Sequence, residues 1–388
     1  MPTSAYLSDL TKCVRCGSCK AFCPTYEEGM RETMTARGRL RLLRGLLTEE
    51  IRPSPALNER LFSCMLCGLC ETLCPLQIDI IGAFYHGRKV LRDQDPGRKY
   101  LRLLTRLSLH RPALSYRIAR MLQHLVNPSV LERAGIPFSV TLPPHPLRDD
   151  QQVYKPEKKI GRVAFFAGCS TNYLFPHLGA SLINVLLRLG YEVVLPKGEA
   201  CCGVPLRSLG LEEEAVEMAK KNYALFSRLN TEAVLSLCPT CVSALKVDYP
   251  KLIGVSLDKV MDVTTFLADR LDLIQPRQGA SFTSVTYHDP CHLAYSLGVR
   301  REPRELIRRS GVEFIEAGGE GCCGFGGLFS VQYPKISGDL LKKRSDAYRE
   351  TGADAVITAC PGCMLQLGKG MEDKRVFHII ELLEEALC

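Results

Sequence analysis

Hydrophobic residues change their rhythm about two-fifths of the way along this chain. Up to roughly residue 125, leucines recur three and four positions apart among arginines, as in the run from Thr35 to Leu47, which is the period of amphipathic helices. Residues 98–133 continue with Leu101, Leu103, Leu104, Leu107, Leu109, Ile118, Met121, Leu122 and Leu125, predicting two short helices broken at Pro112. Packing on a neighbour is the simpler use of their apolar faces, with membrane-surface contact the alternative. Pro137, Pro143, Pro144, Pro146 and Pro156 make 134–160 an extended linker.

From Arg162 onward, short apolar runs alternate with helical periods, the texture of an α/β fold. Strands are predicted at 163–167, 192–195 and 233–237 with helices at 178–189 and 211–229 between them. The order repeats with strands at 284–288, 313–316 and 355–358 and helices at 304–310 and 336–350. Residues 261–271 and 376–387 read as amphipathic helices closing each copy. The predicted class is α plus α/β in four segments: a helical domain (1–95), a helical bridge and linker (96–160), and two duplicated α/β modules (161–275 and 276–388).

Length and charge narrow the field. A chain of 388 residues exceeds one ordinary core. The net charge of +8 is uneven: residues 1–125 hold 20 Lys and Arg against 11 Asp and Glu, and the remainder 30 against 31. Arg37, Arg39 and Arg44 thus offer a basic face for a partner or anionic lipid. No basic, aromatic-interleaved module for nucleic acid occurs. No uncharged apolar run reaches about 18 residues and no signal-peptide layout opens the chain, so the expected location is cytoplasmic, with peripheral contact at the inner face of the membrane left open.

Cysteine decides the chemistry, because 18 of the 19 fall into duplicated patterns. The first is Cys13-x2-Cys16-x2-Cys19-x3-Cys23-Pro24, repeated 51 residues later as Cys64, Cys67, Cys70, Cys74 and Pro75. Three closely spaced thiolates occupy three corners of a 4Fe–4S cubane, and in two-cluster ferredoxins the fourth cysteine ligates the other cluster. Cluster one is therefore expected on Cys13, Cys16, Cys19 and Cys74, and cluster two on Cys64, Cys67, Cys70 and Cys23. Some 40 residues separate the runs, too many for a compact ferredoxin of two hairpins, so this domain should be all-helical.

The second pattern is Cys169, Cys201-Cys202-Gly203, Cys238 and Cys241, repeated 121 or 122 residues later as Cys291, Cys322-Cys323-Gly324, Cys360 and Cys363. Each group follows a predicted strand, where open α/β sheets place ligands. Five thiols exceed the four a zinc ion or a cubane needs; zinc, a cubane with one spare cysteine, and a cluster using all five remain open. His288 and His292 flank Cys291, where hydrogen bonding around the ligands is a simpler role than ligation. Gly319-x-Gly321-x-x-Gly324 fits the dinucleotide fingerprint but encloses the cysteine pair and opens no helix, so it is rejected. Cys388 is left as a free terminal thiol. No flavin fingerprint, P-loop or Ser-His-Asp set is present.

Two ferredoxin runs followed by two such modules resemble the iron–sulfur subunit of glycolate or lactate oxidase and the equivalent iron–sulfur subunit of heterodisulfide reductase, along essentially the whole chain. Cys16-Gly17 through Cys23-Pro24-Thr25-Tyr26, then Arg37-Gly38-Arg39, are most similar to the glycolate-oxidase branch. That branch implies an electron-transfer subunit, not active alone, paired with an FAD-binding dehydrogenase of a 2-hydroxy acid and delivering electrons to a quinone or other acceptor. The heterodisulfide branch implies a noncubane 4Fe–4S cluster on all five cysteines of each module, and disulfide reduction there as the competing function. On this resemblance the ten module cysteines are the candidate catalytic ligands.

Overall fold

The computed structural model describes residues 3–123, 141–148, 152–273, 282–319 and 321–387. Cys388, Leu125 and Pro137 lie outside these. Among described residues 3–123 every regular element is helical: Thr3–Thr11, Pro24–Gly29, Ala36–Leu47, Pro55–Phe62, Leu69–Thr72, Ile80–Leu91, Lys99–His110 and Pro112–Leu122, with short 3-10 turns between. Thr35 starts the central helix by accepting the Gly38 amide on its hydroxyl at 3.0 Å. Leu40, Leu43, Leu57, Leu61 and Phe84 then bury its apolar stripe against its neighbours.

Two buried arginines tie this helical unit together, and one corrects an expectation. Arg39, read from the sequence as part of a basic docking face, is 1% exposed. It donates to the carbonyls of Met34, Arg60 (2.7 Å) and Ser63 (3.0 Å). The last two belong to the final turn and C-cap of the Pro55–Phe62 helix, where carbonyls lack intrahelical partners, so the guanidinium is drawn inward to satisfy them. Arg88 does the same for Leu61, Phe62 and Cys64, and reaches across to Ser208 O at 2.9 Å.

The two modules are parallel sheets. In the first, β2 (Gly161–Phe165) lies between β3 (Tyr191–Val194) and β4 (Ala233–Ser236), β5 (Val260–Asp262) follows β4, and β1 (Val153–Tyr154) adds an antiparallel edge on β3. The second has β7 (Glu313–Phe314), β6 (Ser284–His288), β8 (Ala355–Thr358) and β9 (Arg375–His378) in that order. β1 thus brings the end of the proline-rich segment into the first sheet. β5 and β9 occupy stretches expected as helix; the helices begin only at Val263 and Ile379. Asp262 explains the first break by accepting the Thr264 amide at 2.8 Å, a cap that fixes the helix start.

The copies pack face to face through equivalent helices. Helix Pro176–Arg188 of the first module lies on Ile379–Leu387 of the second, and Val263–Ala268 of the first on Arg301–Arg309 of the second. Equivalent helices exchange roles, as about a two-fold axis, and one apolar core runs through both sheets from Val163 and Leu235 to Val285 and Ile357. The helical unit rests on both copies, with Arg207 of the first under the Tyr85 ring at 4.0 Å and Arg98 donating to Tyr333 of the second at 2.7 Å.

The helical bridge packs only part of its apolar face on a neighbour. Leu101 and Leu109 meet the first module's core, but Tyr100, Leu103, Leu104 and Leu107, and then Leu114, Ile118, Met121 and Leu122, face outward at 42–78% exposure. Arg102 takes the inward position instead, bonding Leu209 O at 3.1 Å and Asp95 at 2.9 Å. Among the described residues no helix is long and apolar enough to cross a membrane.

Arg88 is the test of this architecture. Arg88→Ala strips buried carbonyls of a charged donor and should destabilise the fold by about 3 kcal/mol. Arg88→Lys should not restore it, because the three donors of one ammonium nitrogen cannot span the four carbonyls that the planar guanidinium reaches. Thermal unfolding and hydrogen exchange at Val204–Ser208, which should open first, check both.

Candidate functional site

Glycine sets the first two sites. Gly17 and Gly68 occupy the same place in the two runs with φ of +93° and +84°, the left-handed region a side chain disfavours. A Cβ on Gly17 would meet Arg37 Nη1 at 3.0 Å, and one on Gly68 would meet Ser296 Oγ at 3.1 Å. Each turn therefore wraps tightly against its neighbour. One cavity is lined by Cys13, Cys16 and Cys19 together with Cys74, and the other by Cys64, Cys67 and Cys70 together with Cys23. The structure thus brings each fourth cysteine beside the other run. Cys19 borders both cavities, so they adjoin, and Cys16 is exposed to solvent.

Strand ends set the other two sites. Cys169, the Cys201 pair and Cys238 follow the C-terminal ends of β2, β3 and β4, and Cys291, the Cys322 pair and Cys360 those of β6, β7 and β8. In the first module the thiols touch in the order Cys169, Cys201, Cys202, Cys241, Cys238. The second repeats it as Cys291, Cys322, Cys323, Cys363, Cys360, with Cys323 and Cys363 at 3.4 Å. Hydrogen bonds from Cys241 and Cys360 hold Cys238 well below the ordinary thiol range, and those from Cys291 and Cys323 do so for Cys322. Cys202 is brought down to about 6 by Cys201 and Cys241. Contacts with neighbouring thiols and burial push the other seven thiols of the two sets up, and metal binds the thiolate form.

Buried polar side chains fix the loops, and sequence reasoning missed them. Glu199 accepts the amides of Ala167 and Gly168 at 3.2 and 2.8 Å and pairs with Arg148 at 2.6 Å, clamping the loop before Cys169. Asn222 bonds Ala200 and Cys201 O, and Tyr249 bonds Cys202 O. Arg344 takes the matching place in the second module on Gly319 O at 2.7 Å. The signal was present in the equal offsets, since Glu199 and Glu320 precede the two cysteine pairs alike; Glu320 lies outside the described residues. Gly324 confirms a backbone role for the glycine motif: its Cβ would strike Ser337 O at 2.4 Å.

The four groups are contiguous. Met65, in the second run, places its sulfur 3.9 Å from Cys322, and a cavity of about 150 Å³ between the helical unit and the second module is walled by Cys67, Cys291 and Cys322. Cys360 then touches Cys238 of the first module. These two residues are equivalents in the duplicated pattern, so the modules meet through them. Four sets of converging thiols, with a Cβ at Gly168 only 3.1 Å from Cys241 Sγ, fit iron–sulfur clusters in both donor chemistry and close backbone approach.

Comparison with known proteins agrees. A 4Fe-4S dicluster domain matches residues 9–78, and a cysteine-rich domain matches residues 163–246 and 285–368. Over 392 residues the chain is 30% identical to a fumarate reductase (CoM/CoB) polypeptide of Methanothermobacter marburgensis, covering 97% of this chain and 72% of that protein. It is 28% identical over 422 residues to the probable glycolate oxidase iron-sulfur subunit of Bacillus subtilis, covering 97% and 94%. With a dihydromethanophenazine:CoB–CoM heterodisulfide reductase polypeptide of Methanosarcina barkeri it shares 28% over 419 residues, covering 99% and 96%.

The cavity grouping makes an asymmetric forecast for the helical unit. Cys23→Ala should perturb the same EPR species as Cys64→Ala and spare that of Cys13→Ala. The reverse pattern would contradict the grouping.

Proposed function

The chain belongs to the family of iron–sulfur oxidoreductase subunits that join a 4Fe-4S dicluster domain to two cysteine-rich domains, and from that premise we propose that it relays electrons between an FAD-binding partner and an acceptor. The partner is a dehydrogenase of a 2-hydroxy acid such as glycolate or lactate, and the acceptor a quinone or another carrier. The observation that carries this reading is the unbroken series of cysteine groups from the exposed Cys16 to the first module. When bound, iron–sulfur clusters supply one-electron oxidation and reduction.

The chain's own residues do the rest. Cys13, Cys16, Cys19 and Cys74 hold one cubane, and Cys23, Cys64, Cys67 and Cys70 the second. The two sets of five, Cys169 with Cys201, Cys202, Cys238 and Cys241, and Cys291 with Cys322, Cys323, Cys360 and Cys363, hold two noncubane clusters. Arg37 beside Gly17 and Arg88 beside Cys64 offset thiolate charge. The sequence carries no flavin fingerprint, and on this reading a flavin on another subunit splits the electron pair. Cys16 shares its cavity with Val14, which is 68% exposed, an apolar position suited to that partner.

A second surface suits the acceptor's side. Residues 98–123 hold seven Lys and Arg and no Asp or Glu; Arg98 and Arg102 turn to Asp95 and Arg106 pairs with Glu214, and the segment carries the outward leucine stripe. The outward apolar stripe with Lys99, Arg111, Arg117 and Arg120 along the same two helices suits an anionic bilayer surface, where quinones reside. A disulfide-reducing role at the modules is the competing reading, favoured by the contact of Cys238 with Cys360 that joins both thiol sets.

Anaerobically prepared protein should contain about 16 irons, and iron near 8 with about two zinc would remove clusters from the modules. The native complex should contain an FAD-bearing partner, and the isolated chain should not oxidise glycolate or lactate. Oxidation by the isolated chain would end the relay reading, and disulfide reduction from a chemical reductant would install the alternative. Replacing Leu104 and Leu107 by Glu should cut co-flotation with phosphatidylserine vesicles at least tenfold without changing iron content.

A further inference from the structure

The duplication provides an internal control for every residue around the two five-thiol sets. Position 166 of the first module corresponds to 288 of the second, both 122 residues apart like Cys169 and Cys291, and position 226 corresponds to 348. The first module fills these places with Phe166 and Phe226, whose ring centres lie 5.5 Å apart. The second fills them with His288 and Tyr348 at 6.0 Å. One module therefore carries an apolar pair where its copy carries a polar one, and both pairs are buried.

A buried polar pair persists only where its hydrogen-bonding atoms find partners. The Tyr348 hydroxyl and His288 Nδ1 satisfy each other at 2.6 Å. Arg344 stands against the phenol, 4.5 Å from the ring centre, and hydrogen-bonds it, which leaves the hydroxyl hydrogen for Nδ1. The imidazole then carries its own hydrogen on Nε2. His288 lies with a ring nitrogen within 4.8 Å of both Cys323 and Cys363 Sγ, so sulfur is within the ring's reach.

We propose that His288, oriented by Tyr348, donates a hydrogen bond to a sulfur of the second module's cluster and thereby sets its reduction potential above that of the first module's. Donated hydrogen bonds stabilise the added negative charge of the reduced state. Phe166 gives the first module no such donor. The two copies become inequivalent stations, the more readily reduced one standing beside the ferredoxin runs through Met65 and Cys322. The proposal rests on the reading that both modules hold iron–sulfur clusters.

Mediated redox titration of the full chain, followed by EPR, tests it. Signals are assigned with Cys202→Ala and Cys323→Ala, which remove the first and second module's cluster respectively. The double variant His288→Phe with Tyr348→Phe recreates the pair on which the first module already folds. It should keep its iron while the second cluster's potential falls towards that of the first, which stays put. Tyr348→Phe alone should shift it in the same direction by less, and His288→Gln, which retains an N–H donor, should restore part of the shift. Unchanged potentials with iron retained would overturn the proposal, as would loss of the second cluster in all three variants, since His288 would then be holding the cluster and not tuning it. Wild-type iron near the content of two cubanes would instead overturn the cluster reading itself.

Discussion

Five thiols far apart in sequence must end within contact of one another, and the parallel sheet is what allows it. Adjacent parallel strands finish on the same edge, so loops after β2, β3 and β4 converge although Cys169 and Cys241 are 72 residues apart. The cost is a set of irregular loops with buried amides. Glu199, Asn222 and Tyr249 answer it with side-chain partners. A carboxylate nearly enclosed beside the thiols is tolerated because Arg148 and two backbone amides compensate its charge.

The helical unit solves the same problem without a sheet. Short helices leave many unpaired carbonyls, and Arg39 and Arg88 gather those around Cys64 from the inside. Their burial joins architecture to electrostatics, because the cations that close helix ends also lie beside thiolates. Arg88 extends the same device to Ser208, and so fixes the distance between ferredoxin runs and modules.

Duplication supplies a symmetric frame, and its departures from symmetry carry the functional information. Cys238 and Cys360 are equivalent, and they meet at the two-fold relation between the modules. His288 and Phe166 are also equivalent by position, yet only one has a polar atom to offer. The helical unit breaks the symmetry further by placing Met65 on the second module's cysteine pair.

Much of this was legible in the chain itself. Cysteine spacing records which thiols a single turn can gather, and the strands at 284–288 and 355–358 follow from short β-branched runs between turn residues. The strands β5 and β9 were not legible, because two apolar residues before a helix have no period that separates strand from helix until a neighbouring strand pairs with them. Nor was the fate of the arginines: Arg39 and Arg37 look alike in sequence, and only the position of open carbonyls drew one inside. The leucine stripe of 100–122 has the pattern of a core-facing helix, and tertiary packing alone turned it outward. Local spacing fixes what a segment can bind, whereas which side it presents depends on the unpaired groups that the rest of the fold brings against it.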